Sequence, residues 1–446
     1  MEQLTKLETK LNDFDREVRT GALEELMTLV ESGAVELKPD VGVANMHLHT
    51  FFSFNAYGHS PTSLAWLAKK RGVGLAGIVD FDVLDGVDEF LHACELLGLR
   101  GGAGIETRVF IPEYADREIN SLGEPGVCYH MGIGFATGQV PGAVAPILAD
   151  LGRRADQRNQ EIMARVNDYL DLVNIEYQRD VLPLTPAGHP TERHMVVACV
   201  HGVERTIADL VAFWADKLDI APGEMAAIMS DSPNFQNLIR ARLMKQGGVG
   251  YVQPESGMFP SLEDFHKLIV ACGALPCAAW LDGTTAVERN PEEWLGFLVK
   301  KGVVALNIIP DRNWNIADPG IKQLKLQNLY RIVEVARDLD LSLNIGTEMN
   351  SFGQKAVDDF DVPELAPIRQ AFLDGAYMSY GHTTMQRALG LGYQSDWASS
   401  HLPTRHQRYE FYVRIGCLVS PGLESLKKLR QLDPALSPDE ILSHWR

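Results

Sequence analysis

Residues 4–33 place Leu4, Leu7, Leu11, Phe14, Val18, Leu23, Leu26, Met27 and Val30 at spacings of three and four. That period lines one side of a helix, so the stretch reads as one or two amphipathic helices. The pattern then changes. Residues 42–46 are a short strand-like run leading into His47. Residues 61–71 read as a helix with Pro61 in the first turn, where a missing N–H leaves nothing unpaired. GVGLAGIVD is an apolar run ending at Asp80, residues 85–98 are helical again, and GGAGIETRVFI is strand-like. Strand, helix and strand at this pitch predict parallel βα units.

Residues from about 140 to 260 are mostly helical and polar and read as an insertion or cap. Regular alternation then resumes. SLEDFHKLIVACG, PEEWLGFLVKKG and IKQLKLQNLYRIVEVARDLD read as helices, each followed by a strand: ALPCAAW, VVALNIIP and LSLNIG. Beyond residue 352 no strand-like run remains, and four or five helices are expected. The expected organisation is a helical segment over 1–40, an α/β barrel over 41–352 carrying the insertion, and a helical extension over 353–446.

The candidate chemistry follows strand ends. His47 and His49 come after the first strand, Asp80 ends the second and Glu106 follows the third. His130 lies in or near the fourth; Trp280, Asp311 with Arg312, and Glu348 follow the last three. In a parallel barrel such ends converge on one face. With 13 His in 446 residues, chance supplies roughly 0.4 of an HxH pair, so the pair alone is weak. Its position strengthens it: residues i and i+2 share a side of a strand, and two imidazoles there make a good pair of metal ligands. Glu106 is placed to add a carboxylate.

Composition narrows the partners. There are 41 Lys and Arg against 59 Asp and Glu, a net charge of −18. A protein that binds nucleic acid needs a basic face, so nucleic acid is not expected. A small anionic substrate held by a few local Arg and Lys is. No apolar run is long enough to span a membrane, and the first residues lack the apolar core of a secretory signal. The six cysteines are scattered without a CxxC pair, which points to reduced thiols and a cytoplasmic setting. The apolar faces of the lead and tail helices would pack on the barrel or on a second copy in a homo-oligomer.

A wider pattern now appears. NMHLHTFFSFNAYGHSP, LAKKRGVGLAGIVDFDVLDG, GIE, YHMGIGF, ERHMVVACV, KQGGVGYV, PSLEDFHKLIVACGALPCAAW, LVKKGVVALNIIP and LDLSLNIGTEMN resemble, in order, the motifs of the PHP (polymerase and histidinol phosphatase) family of metal-dependent phosphoesterases. The resemblance covers about residues 41–352. It implies a distorted seven-stranded (βα) TIM-like barrel.

By this resemblance the first metal site is His47, His49, Glu106 and Glu348, the last standing where an Asp is usual. A second site keeps His130 but has Trp280 in place of a His. A third has Phe54, Phe81 and Asn350 where ligands are usual, with His59 or Asn55 as partial substitutes. The implied cofactor is therefore one main divalent ion, Zn, Mn or Fe. His130 or Asp80 would orient a metal-activated water or act as general base. Arg193, His194 and Lys245 match phosphate contacts of some family members, and Arg312 follows a strand end that would aim it at the same mouth. The implied function is hydrolysis of a small phosphorylated metabolite. Two rival readings are a metal-dependent carbohydrate lyase or isomerase on the same barrel, and a non-catalytic sensor or scaffold with a vestigial site.

Overall fold

The computed structural model describes residues 2–254 and 257–445. Seven strands form one sheet: β1 (Ala44–Leu48), β2 (Leu75–Phe81), β3 (Arg100–Phe110), β4 (Val127–Ile133), β5 (Leu275–Trp280), β6 (Ala305–Ile308) and β7 (Ser342–Ile345). They neighbour one another in chain order. The helices predicted at 61–71, 85–98 and after residue 260 form close to their predicted places. Each reads as it does because apolar residues recur at helical spacing between punctuating caps. Ser60 caps the helix Pro61–Arg71, and Gly72 ends it in the left-handed conformation that glycine adopts without strain.

One expectation needs correction. β1–β3 are parallel and so are β5–β7, but β4 runs antiparallel to both its neighbours. The connection from β3 holds only one short turn, Pro112–Tyr114, instead of a crossover helix. It doubles back, with Ile111 N donating to Gly126 O at 2.8 Å, and a chain that doubles back pairs antiparallel.

The sheet curls until its edges almost meet. Leu48 and Glu348 form an isolated parallel bridge. His49 N donates to Glu348 O and Glu348 N to His47 O, each at 2.8 Å. Gly346 permits this approach: a Cβ there would lie 2.5 Å from His47 Cβ. The result is a nearly closed, barrel-like seven-stranded sheet among many helices.

The helix Arg369–Leu389 supplies a floor. A Cβ on Gly102, near the start of β3, would meet Met46 and Ser379, and one on Gly134, just past the end of β4, would meet His382. Met378 of this helix joins Met131 and Cys277 in a buried apolar cluster. The inserted helices have a cluster of their own, built around Trp214, Met195 and Leu243. Among the described residues no helix is long and apolar enough to cross a membrane.

The N-terminal helix Arg16–Glu31 is fastened by a buried ion pair. Arg19 is 2% exposed and Glu89 6%; Arg19 Nε donates to Glu89 Oε1 at 2.8 Å. Thr62 Oγ1 donates to the same oxygen at 2.7 Å. Removing one partner strands the other charge in the core. Glu89→Ala should therefore lower stability by about 3–5 kcal/mol in chemical denaturation. An Arg19→Met, Glu89→Leu double variant should lose less than Glu89→Ala alone.

Candidate metal centre

β1 carries His47, and His49 follows its last residue. β3 carries Glu106. All three are buried at the mouth where the parallel strands end. His47 Nε2 lies 3.2 Å from His49 Nε2. Glu106 Oε2 lies 3.2 Å from the first and 3.4 Å from the second. Ligand atoms bound tetrahedrally at about 2.0–2.2 Å from one ion sit ~3.3–3.5 Å apart. The triangle therefore has the dimensions of one face of such a site. Among the described residues these three are the group that could hold a metal.

Hydrogen bonds behind the rings set which nitrogen is free. Asn307 Oδ1 lies 3.1 Å from His47 Nδ1 and also accepts from Asn344 Nδ2 at 3.0 Å. An oxygen facing Nδ1 places the proton there and leaves the Nε2 lone pair bare. His49 Nδ1 lies 3.2 Å from Ser53 Oγ, whose own hydrogen goes to Asp80 Oδ1 at 2.7 Å. Ser53 thus accepts from Nδ1, and the Nε2 of His49 is bare as well. Orientation of ligand imidazoles from behind is a general feature of metal sites. Glu106 Oε2 is buried with no hydrogen-bond partner among the described residues. Two imidazole lone pairs and one orphaned carboxylate oxygen fit a divalent cation.

The electrostatics agree. Burial pushes the Glu106 carboxyl up, but its contacts with His47 and His49 outweigh this and hold it at about 2. Burial pulls His47 down, yet Glu106 and the more distant Glu348 leave it raised above its ordinary value. The pocket stabilises positive charge placed at its centre.

The remaining predicted residues divide. Arg193, Lys245 and Arg312 line a cavity that Glu106 also lines. Glu348 lines it too but does not join the triangle. Its Oε2 accepts from Arg312 Nη2 at 2.7 Å and Gln354 Nε2 at 3.1 Å, so the expected fourth ligand is here an ion-pair partner. Glu348 and Met349 both have positive φ, 66° and 54°, a strained arrangement for two residues with side chains.

His130 needs correction. Glu106 faces Met131 in the register and Thr107 faces His130, so alternation turns His130 to the opposite side of the sheet from Glu106. There its Nε2 lies 2.7 Å from His266 Nε2. The reversal of β4 sends Tyr129 into the cavity instead. Asp80 needs correction as a base: it accepts from Thr50 N, Thr50 Oγ1 and Ser53 Oγ, each at 2.7 Å, and anchors the turn behind His49. His194 caps its own helix, its Nδ1 accepting from Thr191 N at 3.0 Å. Burial pulls it down to about 3, and it does not line the cavity.

Phe54, Phe81 and Asn350 line the cavity wall, and Phe81 stacks on His49 with centroids 4.7 Å apart. Trp280 is buried in the core. His59 pairs with Ser63 and Asn55 with the His49 carbonyl, so neither replaces a ligand. Sequence reading missed Arg108, Arg158, Arg240 and Tyr129, which line the same cavity of about 410 Å³. Arg108 had a signal, standing two residues beyond Glu106 on one strand.

No protein-family model and no curated protein matches the chain. Two solved structures are similar in shape. One is a provisionally assigned metal-dependent phosphoesterase from Bifidobacterium adolescentis, 18% identical over 75% of this chain and 98% of that one, with a TM-score of 0.48. The other is an amidohydrolase from Chromobacterium violaceum with bound sulfate and no metal, 16% identical over 74% and 96%, with a TM-score of 0.47. Likenesses this distant assign neither family nor activity.

Elemental analysis of protein loaded with Zn²⁺ or Mn²⁺ should find one ion per chain, and Glu106→Gln should abolish it. Ser53→Ala leaves every ligand in place and should weaken the ion's affinity by about 10–100-fold. Three ions per chain would contradict the placement of Phe54, Phe81 and Asn350.

Proposed function

We propose that the chain is a metal-dependent hydrolase, a phosphoesterase of the PHP type acting on a small phosphorylated metabolite. One observation carries this reading: Glu106 of the His47, His49 and Glu106 triangle lines a cavity whose wall also holds several Arg and Lys245. A divalent ion held there would polarise a phosphoryl oxygen and lower the pKa of water. The protein's own groups do the rest. Asn307 and Ser53 keep both imidazoles in the tautomer that presents Nε2. Glu106 stays ionised. Arg312, turned by Glu348, and Arg193 offer planar donors that suit phosphate oxygens. Phe54 and Phe81 present an apolar surface beside the reacting group and limit its hydration.

The ordered motifs over residues 41–352 support the family assignment, and six unpaired cysteines support a reducing compartment. Metal-loaded protein screened against a broad panel of phosphate monoesters should release phosphate from at least one. His49→Ala and Glu106→Gln should remove that activity, while Glu89→Gln, far from the cavity, should retain it per folded molecule. Failure of the loaded wild-type protein on the whole panel, with turnover of a non-phosphorylated sugar instead, would overturn the proposal.

A further inference from the structure

The cations of the cavity are not equally paired. Arg108 Nη1 binds Glu124 Oε2 at 2.7 Å. Glu192 is shared by Arg240 at 3.0 Å and Lys245 at 2.9 Å. Arg312 has Glu348. Arg193 and Arg158 have no ion pair among the described residues; Arg193 Nη1 donates to Asn237 Oδ1 at 2.6 Å, whereas Arg158 Nε is buried without a hydrogen-bond partner. Its guanidinium lies 5.2 Å from the centre of the Phe259 ring, and that of Arg108 lies 4.4 Å from the same centre. Two guanidiniums thus crowd one aromatic ring, and Arg158 has no carboxylate within ion-pair distance among the described residues, Asp82 attracting it only from farther off. Burial, with the charge of Arg108 added, pulls Arg158 down to about 10. Buried charges are ordinarily paired.

The position is informative. Arg108 stands two residues beyond Glu106 on β3, so their Cα atoms are ~6.6 Å apart on one side of the sheet. Arg108 and Arg158 also line a second chamber of about 250 Å³, so they stand where the two chambers meet. A group held by them is within one small-molecule length of the ligand triangle.

We propose that Arg158, together with Arg108, binds a second anionic group of the substrate. The substrate is then a compact bis-anion, with its reacting phosphate at the triangle and a carboxylate or second phosphate at Arg158. The identity of the first group rests on the phosphoesterase reading; the site at Arg158 does not. In a chain of net charge −18, this local excess of cations would select bis-anions over mono-anions.

Phosphonates test this without turnover, because their C–P bond is not hydrolysed. Calorimetry on the full, metal-loaded chain would compare butylphosphonate, phosphonobutanoate and butane bisphosphonate. At least one bis-anion should bind about tenfold or more tighter than butylphosphonate, the value of one charge-assisted contact. Whichever bis-anion binds tighter names the second group. Arg158→Met should erase the difference and leave butylphosphonate unchanged; Arg158→Lys should keep part of it. Equal binding of all three by wild-type protein, or uniform weakening in Arg158→Met, would overturn the proposal. A bis-anion preference without hydrolysis of any phosphate ester would sink the phosphoesterase reading and leave this site standing.

Discussion

Three electron-rich atoms are held face to face in a buried place: Nε2 of His47, Nε2 of His49 and Oε2 of Glu106. With both imidazoles neutral and their Nε2 lone pairs turned inward they repel, and among the described residues no other group donates to the carboxylate oxygen. Burying polar groups without partners is costly, so the arrangement needs a cation at its centre and a frame that prevents it from relaxing. The surrounding structure supplies that frame. Asn307 and Ser53 keep the rings turned, and Asp80 fixes Ser53 while accepting three hydrogen bonds of its own.

The frame extends to the backbone. β1 and β7 meet through hydrogen bonds on either side of Glu348, and the missing side chain of Gly346 lets β7 reach His47. Closing the sheet here brings residues near 47 beside residues near 348. The consecutive positive φ values of Glu348 and Met349 turn the chain over the mouth and aim the Glu348 carboxylate at Arg312. The floor helix Arg369–Leu389 packs under the sheet through Met378, Ser379 and His382. The helical tail thus supports the site by packing.

Much of this was legible in the sequence where local rules govern. The strand runs, the helix at Pro61–Arg71 with its Ser60 and Gly72 caps, and the pairing of His47 with His49 follow from periodicity and turn chemistry. Glu106 was legible as a carboxylate near a strand end, although it stands inside β3 and it is β2 that ends beside it, at Phe81. His130 was misjudged because its role depends on the direction of β4, which a hairpin decides, and on pleat parity, which changes with a shift of one residue. Glu348 reaches the cavity as expected, but its pairing with Arg312 joins two strand ends and leaves no trace in either local sequence. Arg158 and Arg240 lie on inserted helices whose docking onto the barrel leaves no local trace, so tertiary packing alone brings them to the cavity. Arg108, on the strand of Glu106, was readable by the same alternation that placed the ligands.

The triangle of His47, His49 and Glu106 has the form to seat one divalent ion on two imidazole nitrogens and one carboxylate oxygen. X-ray absorption fine structure of the Zn²⁺-loaded protein addresses this directly. An ion seated there should show nearest neighbours of nitrogen and oxygen only, at about 2.0–2.2 Å, with the outer scattering pattern of two imidazoles. Sulfur at about 2.3 Å, or the absence of imidazole scattering, would contradict it.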